Sequence, residues 1–84
     1  MFFVYILYSN TKEKFYIGQT NDIDDRIKRH NNGQSLSTKN GIPWKVIYTI
    51  VISSRSEAVA LETKIKKRGA KRYLQDINFE YQIA

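Results

Sequence analysis

Cysteine is missing altogether, and the 84 residues hold a single proline, Pro43, and only four glycines. The first absence excludes a disulfide framework, a thiolate metal centre and a cysteine nucleophile. The scarcity of proline and glycine leaves little room for linkers or low-complexity segments. Histidine occurs only as His30, so sites built from several imidazoles are excluded as well. No internal repeat is visible. The opening run from Met1 to Tyr8 is short and lacks a basic start, so it reads as neither signal peptide nor membrane span. A cytoplasmic location is the resulting expectation.

What remains is an ordinary globular composition with a basic bias. Hydrophobic residues make up 42% and charged residues 26%, which separates the chain from disordered sequences. A net charge of +6 on so small a chain attracts polyanions: nucleic acid first, then an acidic membrane surface or an acidic protein. This length supports one modest core, so one domain over residues 1–84 is expected, with 78–84 carrying no clear element signal and reading as a tail.

Phe2 to Tyr8 is rich in aromatic and β-branched residues and reads as a buried strand. A polar turn follows, and Phe15-Tyr16-Ile17 resumes strand character up to Gly18, giving an antiparallel hairpin. Asn21 or Asp22 can cap a helix with Asp24 and Asp25 in its first turn, running to about His30 and stopped by Asn31-Asn32-Gly33. Gln34 to Pro43 is a polar loop. Trp44 to Ile52 is the strongest strand signal and is expected at the centre of the sheet. Ser54-Arg55-Ser56-Glu57 has the form of a capping box that opens a helix to Arg68, ended by Gly69. A last helix spans Ala70 to about Ile77. The order β-β-α-β-α-α implies an α+β fold, a small three-stranded antiparallel sheet flanked by helices.

Several polar residues stand where core residues are due. At about 100° per residue, Ala58, Val59, Leu61 and Ile65 form one apolar arc of their helix, and Glu62 falls inside it. A carboxylate facing a sheet is costly unless a cation or donors meet it, and a divalent ion is one such partner. The plain alternative is an i,i+4 salt bridge to Lys66. Ile23 and Ile27 mark the inward face of the first helix, with Arg26 and His30 on or beside it. An arginine there can fork onto phosphate oxygens, or simply lay its stem over the core edge. His30 can equally be a helix-terminal histidine favoured by the macrodipole. Tyr5 and Tyr16 alternate with core residues on the paired strands, and both can be core-filling rings with hydroxyls at the edge, as expected for Tyr8 and Tyr48.

Phe3-Val4-Tyr5 and Tyr16-Ile17-Gly18, with their tyrosines eleven residues apart, precede Asp25-Arg26-Ile27-Lys28-Arg29-His30 and Ala60-Leu61-Glu62-Thr63-Lys64-Ile65-Lys66. In that order these four elements resemble the GIY-YIG nuclease superfamily, in particular its small stand-alone bacterial members. The resemblance implies a catalytic set of Tyr5, Tyr16, Arg26, His30 and Glu62, with Glu62 holding one divalent ion, Mg²⁺ or Mn²⁺. Tyr16, or else Tyr5 or His30, would activate water. Arg26 would steady the developing charge, and Gly18 would let the backbone turn tightly. A general-base tyrosine needs a nearby positive charge, because a free phenol titrates near 10. Three departures stand out: Phe3 replaces the first motif's glycine, Gln19 stands where some relatives carry a lysine, and only Asn78 matches a late asparagine. The lysine's cationic help is then either missing or supplied by Lys28, Lys39 or Lys66.

Lys64, Lys66, Lys67, Arg68, Lys71 and Arg72 cluster around the last two helices, and Lys28 and Arg29 lie on the first. With Gln19 and Lys39 they form the expected nucleic-acid contacts, although a charge run is more often a solvated helix face. Ser35, Ser37, Thr38 and Asn40 in the polar loop are also placed to touch phosphates. The expectation is a metal-dependent endonuclease acting on DNA rather than RNA, as in repair or recombination, directed by DNA structure or by a protein partner. A nucleic-acid-binding module with little turnover, and an adaptor for an acidic protein, are the alternatives.

Overall fold

The computed structural model describes residues 1–81. Strands β1 (Phe2–Ser9), β2 (Lys14–Thr20) and β3 (Trp44–Ile52) alternate with helices α1 (Ile23–Asn31), α2 (Arg55–Arg68) and α3 (Ala70–Asp76) in the expected β-β-α-β-α-α order. A single 3₁₀ turn, Lys39–Gly41, interrupts the loop before β3. None of the described helices is long and apolar enough to cross a membrane.

The sheet is antiparallel throughout, but its order is β2-β1-β3, so β3 lies at an edge and not at the centre. A long apolar run predicts a strand without saying how many of its faces are covered. Every residue from Val4 to Ser9 of β1 is buried, on both faces. In β3, Lys45 and Thr49 are exposed, and Val46 and Val51 retain 36% and 54% of their surface. The β1–β3 register passes from Ile6↔Tyr48 to Leu7↔Val46, which leaves Ile47 as a bulged extra residue.

Alternation along β1 divides the core into two layers. Val4, Ile6 and Tyr8 face α2 and α3, meeting Ala58, Ile65, Tyr73 and Leu74. Tyr5 and Leu7 face the other way, toward Trp44, Tyr16 and the α1 residues Ile23 and Ile27. Within the apolar arc expected on α2, Ala58 and Ile65 are buried and Leu61 is half-buried, whereas Val59 points outward. Tyr8 and Tyr48 do fill the core.

The caps read from sequence form with one change. Asp22 Oδ1 accepts from the Asp25 N–H at 3.1 Å, and Ser54 Oγ accepts from the Glu57 N–H at 3.3 Å. The Glu57 carboxylate does not complete the box; it accepts from Ser53 Oγ at 3.1 Å. Arg68 forks onto both carboxylate oxygens of Asp76, at 2.7 and 3.0 Å, and so clamps α2 to α3 across Gly69. Beyond α3 the chain returns to the sheet: Phe79 packs edge-on to Tyr48 at 4.9 Å, and Tyr81 to Phe15 at 6.2 Å. Within 78–81, Phe79 and Tyr81 make these contacts while Asn78 and Glu80 are exposed, and 82–84 of the expected tail lie outside the described residues.

Candidate active site

The hairpin register builds the first part of the site. Tyr5 stands opposite Gly18 and Tyr16 opposite Leu7, so both tyrosines share the α1 face as diagonal neighbours, with ring centroids 6.4 Å apart. Gly18 sits in mid-strand and makes no turn, contrary to the role expected for it. Its missing side chain leaves room for Tyr5: a Cβ at position 18 would lie 2.5 Å from the Tyr5 hydroxyl oxygen and 2.6 Å from its Cζ. Tyr5 is fully enclosed and cannot swing aside. Gly18→Ala is therefore expected to destabilise the fold by about 1–3 kcal/mol, the usual cost of overpacking. It should also displace the Tyr5 hydroxyl. Thermal unfolding and the imidazole ¹⁵N shifts of His30 read these two effects, and no change in either would refute the close contact.

The Tyr5 hydroxyl meets His30 Nε2 at 2.9 Å, and His30 Nδ1 meets Thr38 Oγ1 at 2.8 Å, all in buried surroundings. The Thr38 hydroxyl itself donates to the Ser35 carbonyl at 3.4 Å. That direction assigns the tautomer: Nδ1–H donates to Thr38, and the Nε2 lone pair accepts the Tyr5 O–H. Burial, reinforced by Arg26, lowers the His30 pKa below its ordinary value, so the neutral ring this network requires is also the favoured one. A helix-end imidazolium stabilised by the macrodipole is thus not what His30 is. Nor does Thr38 touch phosphates, because it is completely buried. Its carbonyl accepts from Trp44 Nε1 at 2.6 Å, and Asn31 grips the Trp44 backbone from α1 with bonds of 2.6 and 3.2 Å.

A polar cleft of about 570 Å³ opens over this network, lined among others by Tyr16, Arg26, His30, Gln34 and Ser35. Tyr16 is half-buried on its floor, its ring edge-on to His30 at 4.9 Å. Burial, and then the neighbouring Tyr16, push the Tyr5 hydroxyl up to about 12 against the pull of Arg26. At neutral pH Tyr5 therefore keeps its proton and gives it to a hydrogen bond with His30. Of the two tyrosines, Tyr16 is the one open to solvent.

Glu62 belongs to helix α2, on the other layer. Its carboxylate, with 20% of the side chain exposed, accepts from Lys66 Nζ at 2.6 Å through Oε2, so the expected i,i+4 bridge is present. Among the described residues, no hydrogen bond is formed to Oε1. The Glu62 charge adds the smallest of the upward pushes on the Tyr5 hydroxyl. The structure thus brings Tyr5, Tyr16, Arg26 and His30 together on the α1 side, whereas Glu62 lies on α2, bridged to Lys66, and lines none of the cleft.

Residues 1–76 match the GIY-YIG catalytic domain. The chain belongs to the GIY-YIG family. It is 38% identical over 79 residues to a UPF0213 protein of Clostridium perfringens, covering 93% of this chain and 84% of that one. A UPF0213 protein of Oceanobacillus iheyensis is 31% identical over 81 residues, covering 95% and 93%. The solution structure of the UPF0213 protein BH0048 from Bacillus halodurans superimposes with a TM-score of 0.57 at 30% identity, covering 93% of this chain and 84% of that one. These are small bacterial proteins with a nuclease-type domain, and the β2-β1-β3 sheet with its three helices is the fold they share.

The remaining expected contacts are spread over this GIY-YIG domain. Lys28 and Lys39 are exposed on α1 and in the 3₁₀ turn, while Arg29 is paired with Asp25 at 2.9 Å. Gln19 lines a smaller hollow of about 160 Å³ with Arg26 and Arg55. Lys64, Lys67 and Arg68 surround a separate hollow with Tyr73 on the outer side of α2, and Lys71 and Arg72 are exposed on α3. Asn78 adopts a left-handed backbone (φ 55°) just after α3, and Asn31 is the asparagine bonded to the Trp44 backbone. Sequence reasoning missed Asn31, Trp44 as an anchor, the structural use of Thr38, and Arg55. An unsatisfied indole N–H at the start of a strand was the one available hint, since a buried tryptophan must find an acceptor.

Proposed function

We propose that this domain hydrolyses phosphodiester bonds in DNA with one divalent ion, Mg²⁺ or Mn²⁺, its cut directed by DNA structure or by a protein partner. The observation that carries the reading is the meeting of Arg26, Tyr16 and the Tyr5–His30 pair at one polar cleft, in a chain of a nuclease family. Glu62 suits a hard cation, which needs only one or two protein carboxylates when waters and phosphate oxygens complete its shell. Among the described residues, no group of three or more His, Asp or Glu side chains forms a dedicated metal cage, which fits such a sparsely held ion. Bound there, the ion would supply a Lewis acid for the phosphate and the leaving oxygen.

The chain's own groups divide the remaining work. Arg26 forks onto the non-bridging oxygens and stabilises the charge that grows on them. Tyr16 faces the cleft and orients the attacking water, taking its proton where a neighbouring cation favours the phenolate. The Tyr5–His30–Thr38 network forms the rigid back wall that holds Tyr16 and Arg26 in register. Two observations favour a binding module without turnover instead: the Tyr5 hydroxyl is enclosed and committed to His30, and Gln19 offers no charge.

A panel of branched, nicked, single-stranded and duplex DNA, with RNA counterparts, separates these readings. Cleavage in Mg²⁺ or Mn²⁺ that stops on chelation is the expected result, with DNA cut in preference to RNA. Salt-sensitive binding without a cut in any arm would overturn hydrolysis and leave the module.

A further inference from the structure

The cleft does not end at its own walls. It shares Arg26 with the smaller hollow lined by Gln19 and Arg55, and it shares Tyr16 with a third hollow of about 300 Å³ lined by Lys12, Lys14, Ser37 and Asn40. Through these shared residues the three hollows follow one another as a furrow along β2, one of the two edge strands of the sheet. From Lys14 to Thr20 that strand extends roughly 20 Å at its usual rise, long enough for several successive phosphates. Cations stand at both ends and in the middle: Arg55, then Arg26, then Lys12 and Lys14. The one carboxylate lining the furrow, Asp25, is already paired with Arg29.

The larger basic cluster has a different setting. Lys64, Lys67 and Arg68 surround a hollow that shares no residue with the furrow, and Arg68 is spent on its fork to Asp76. That hollow lies on α2 and α3, which cover the face of β1 opposite to Tyr5. The densest charge in the sequence is thus on the other layer from the cleft.

Resting on the hydrolase reading above, we propose that the sugar-phosphate backbone of one substrate strand lies along the β2 furrow. Lys12 and Lys14 grip phosphates at one end and Arg55 at the other, with Gln19 beside it. The strand so held passes Arg26 and Tyr16, so its phosphates are presented to these groups in single file. The basic face of α2 and α3 is outside this path.

Anisotropy of a labelled single-stranded DNA oligonucleotide, about 12 nucleotides long, tests the path in chelator so that no cutting intervenes. Lys12→Ala/Lys14→Ala and Lys64→Ala/Lys67→Ala lower the net charge of +6 by the same amount, so bulk electrostatics is matched. The first pair should weaken binding about tenfold and reduce the salt slope by about 1.4, two single-strand phosphate contacts' worth. The second should stay within about twofold. Equal losses in both pairs, or a larger loss in the second, would overturn the path. A parallel cleavage assay keeps the two ideas apart. Wild type that cuts while the Lys12/Lys14 pair binds normally overturns only the path. Wild type that binds through Lys12 and Lys14 but never cuts overturns only hydrolysis, and wild type that neither binds nor cuts overturns both.

Discussion

Glu62→Ala is expected to lower divalent-ion-dependent cleavage by about 10²–10⁴-fold, because several kcal/mol of charge stabilisation leave with the ion. Stability should hardly change. The bridge to Lys66 joins a carboxylate with 20% of its side chain exposed to an ammonium with 53% exposed, and such i,i+4 pairs contribute only a few tenths of a kcal/mol. This contrast supplies the control. If Glu62 serves only to pair with Lys66, then Lys66→Ala must reproduce the whole effect on activity. If Glu62 holds the ion, Lys66→Ala should leave most of the activity, and Glu62→Gln, which keeps shape but not charge, should be as defective as alanine. Equal, small losses in all three variants would remove Glu62 from the chemistry. Circular dichroism and melting curves exclude the trivial explanation that a variant fails to fold.

Arg26→Ala is the second large effect, expected at about 10²–10³-fold in kcat, the cost of losing one preorganised donor at a developing charge. Arg26→Lys should recover only a part, since an ammonium cannot fork across two phosphate oxygens. A second signature separates this from simple loss of binding. The Arg26 charge holds the Tyr5 hydroxyl down against burial and Tyr16, and it also lowers the His30 pKa. Its removal should therefore raise both pKa values, and the His30 change lies in the range that proton NMR of the imidazole can follow. A variant with unchanged kcat, or with an imidazole titration identical to wild type, would contradict the placement of Arg26 between these groups. Adding salt will not mimic the variant, because the groups it acts on are enclosed.

Much of this was legible in the sequence, for identifiable reasons. Element order and caps could be read because Asp22, Ser54, Gly33 and Gly69 act locally, within a few residues of the helix ends they define. Arg26 and His30 could be placed on the inward face of α1 because helical periodicity fixes direction. The rank of strands in the sheet could not, since β3 is the longer strand by one residue yet leaves Lys45, Val46, Thr49 and Val51 exposed, and which strand is covered on both faces is decided by tertiary packing. The purpose of Gly18 was also hidden. A glycine in a strand announces a close approach but not its partner, and the partner is the ring of Tyr5 thirteen positions away. Thr38 was misjudged for a related reason. Its neighbours Ser35, Ser37 and Asn40 are polar, and nothing local reveals that Trp44 and His30 enclose it from two other elements. Contacts between separate elements, whether packing or hydrogen bonds, were the common element in what was missed.

The bonds from Asn31 to Trp44, from Trp44 to Thr38 and from Thr38 to His30 close a loop through three elements. The chain between α1 and β3 is therefore pinned at its beginning, middle and end, and it can act only as a fixed wall. Domains that select by closing over a correct substrate need a hinge, and this side of the cleft has none. On the hydrolase reading proposed above, discrimination would then reside in the nucleic acid: the strand that enters would be the one already unpaired, frayed or bent enough to fit a static mould. Duplex rigidity, not protein motion, would be the quantity that sets which sites are attacked.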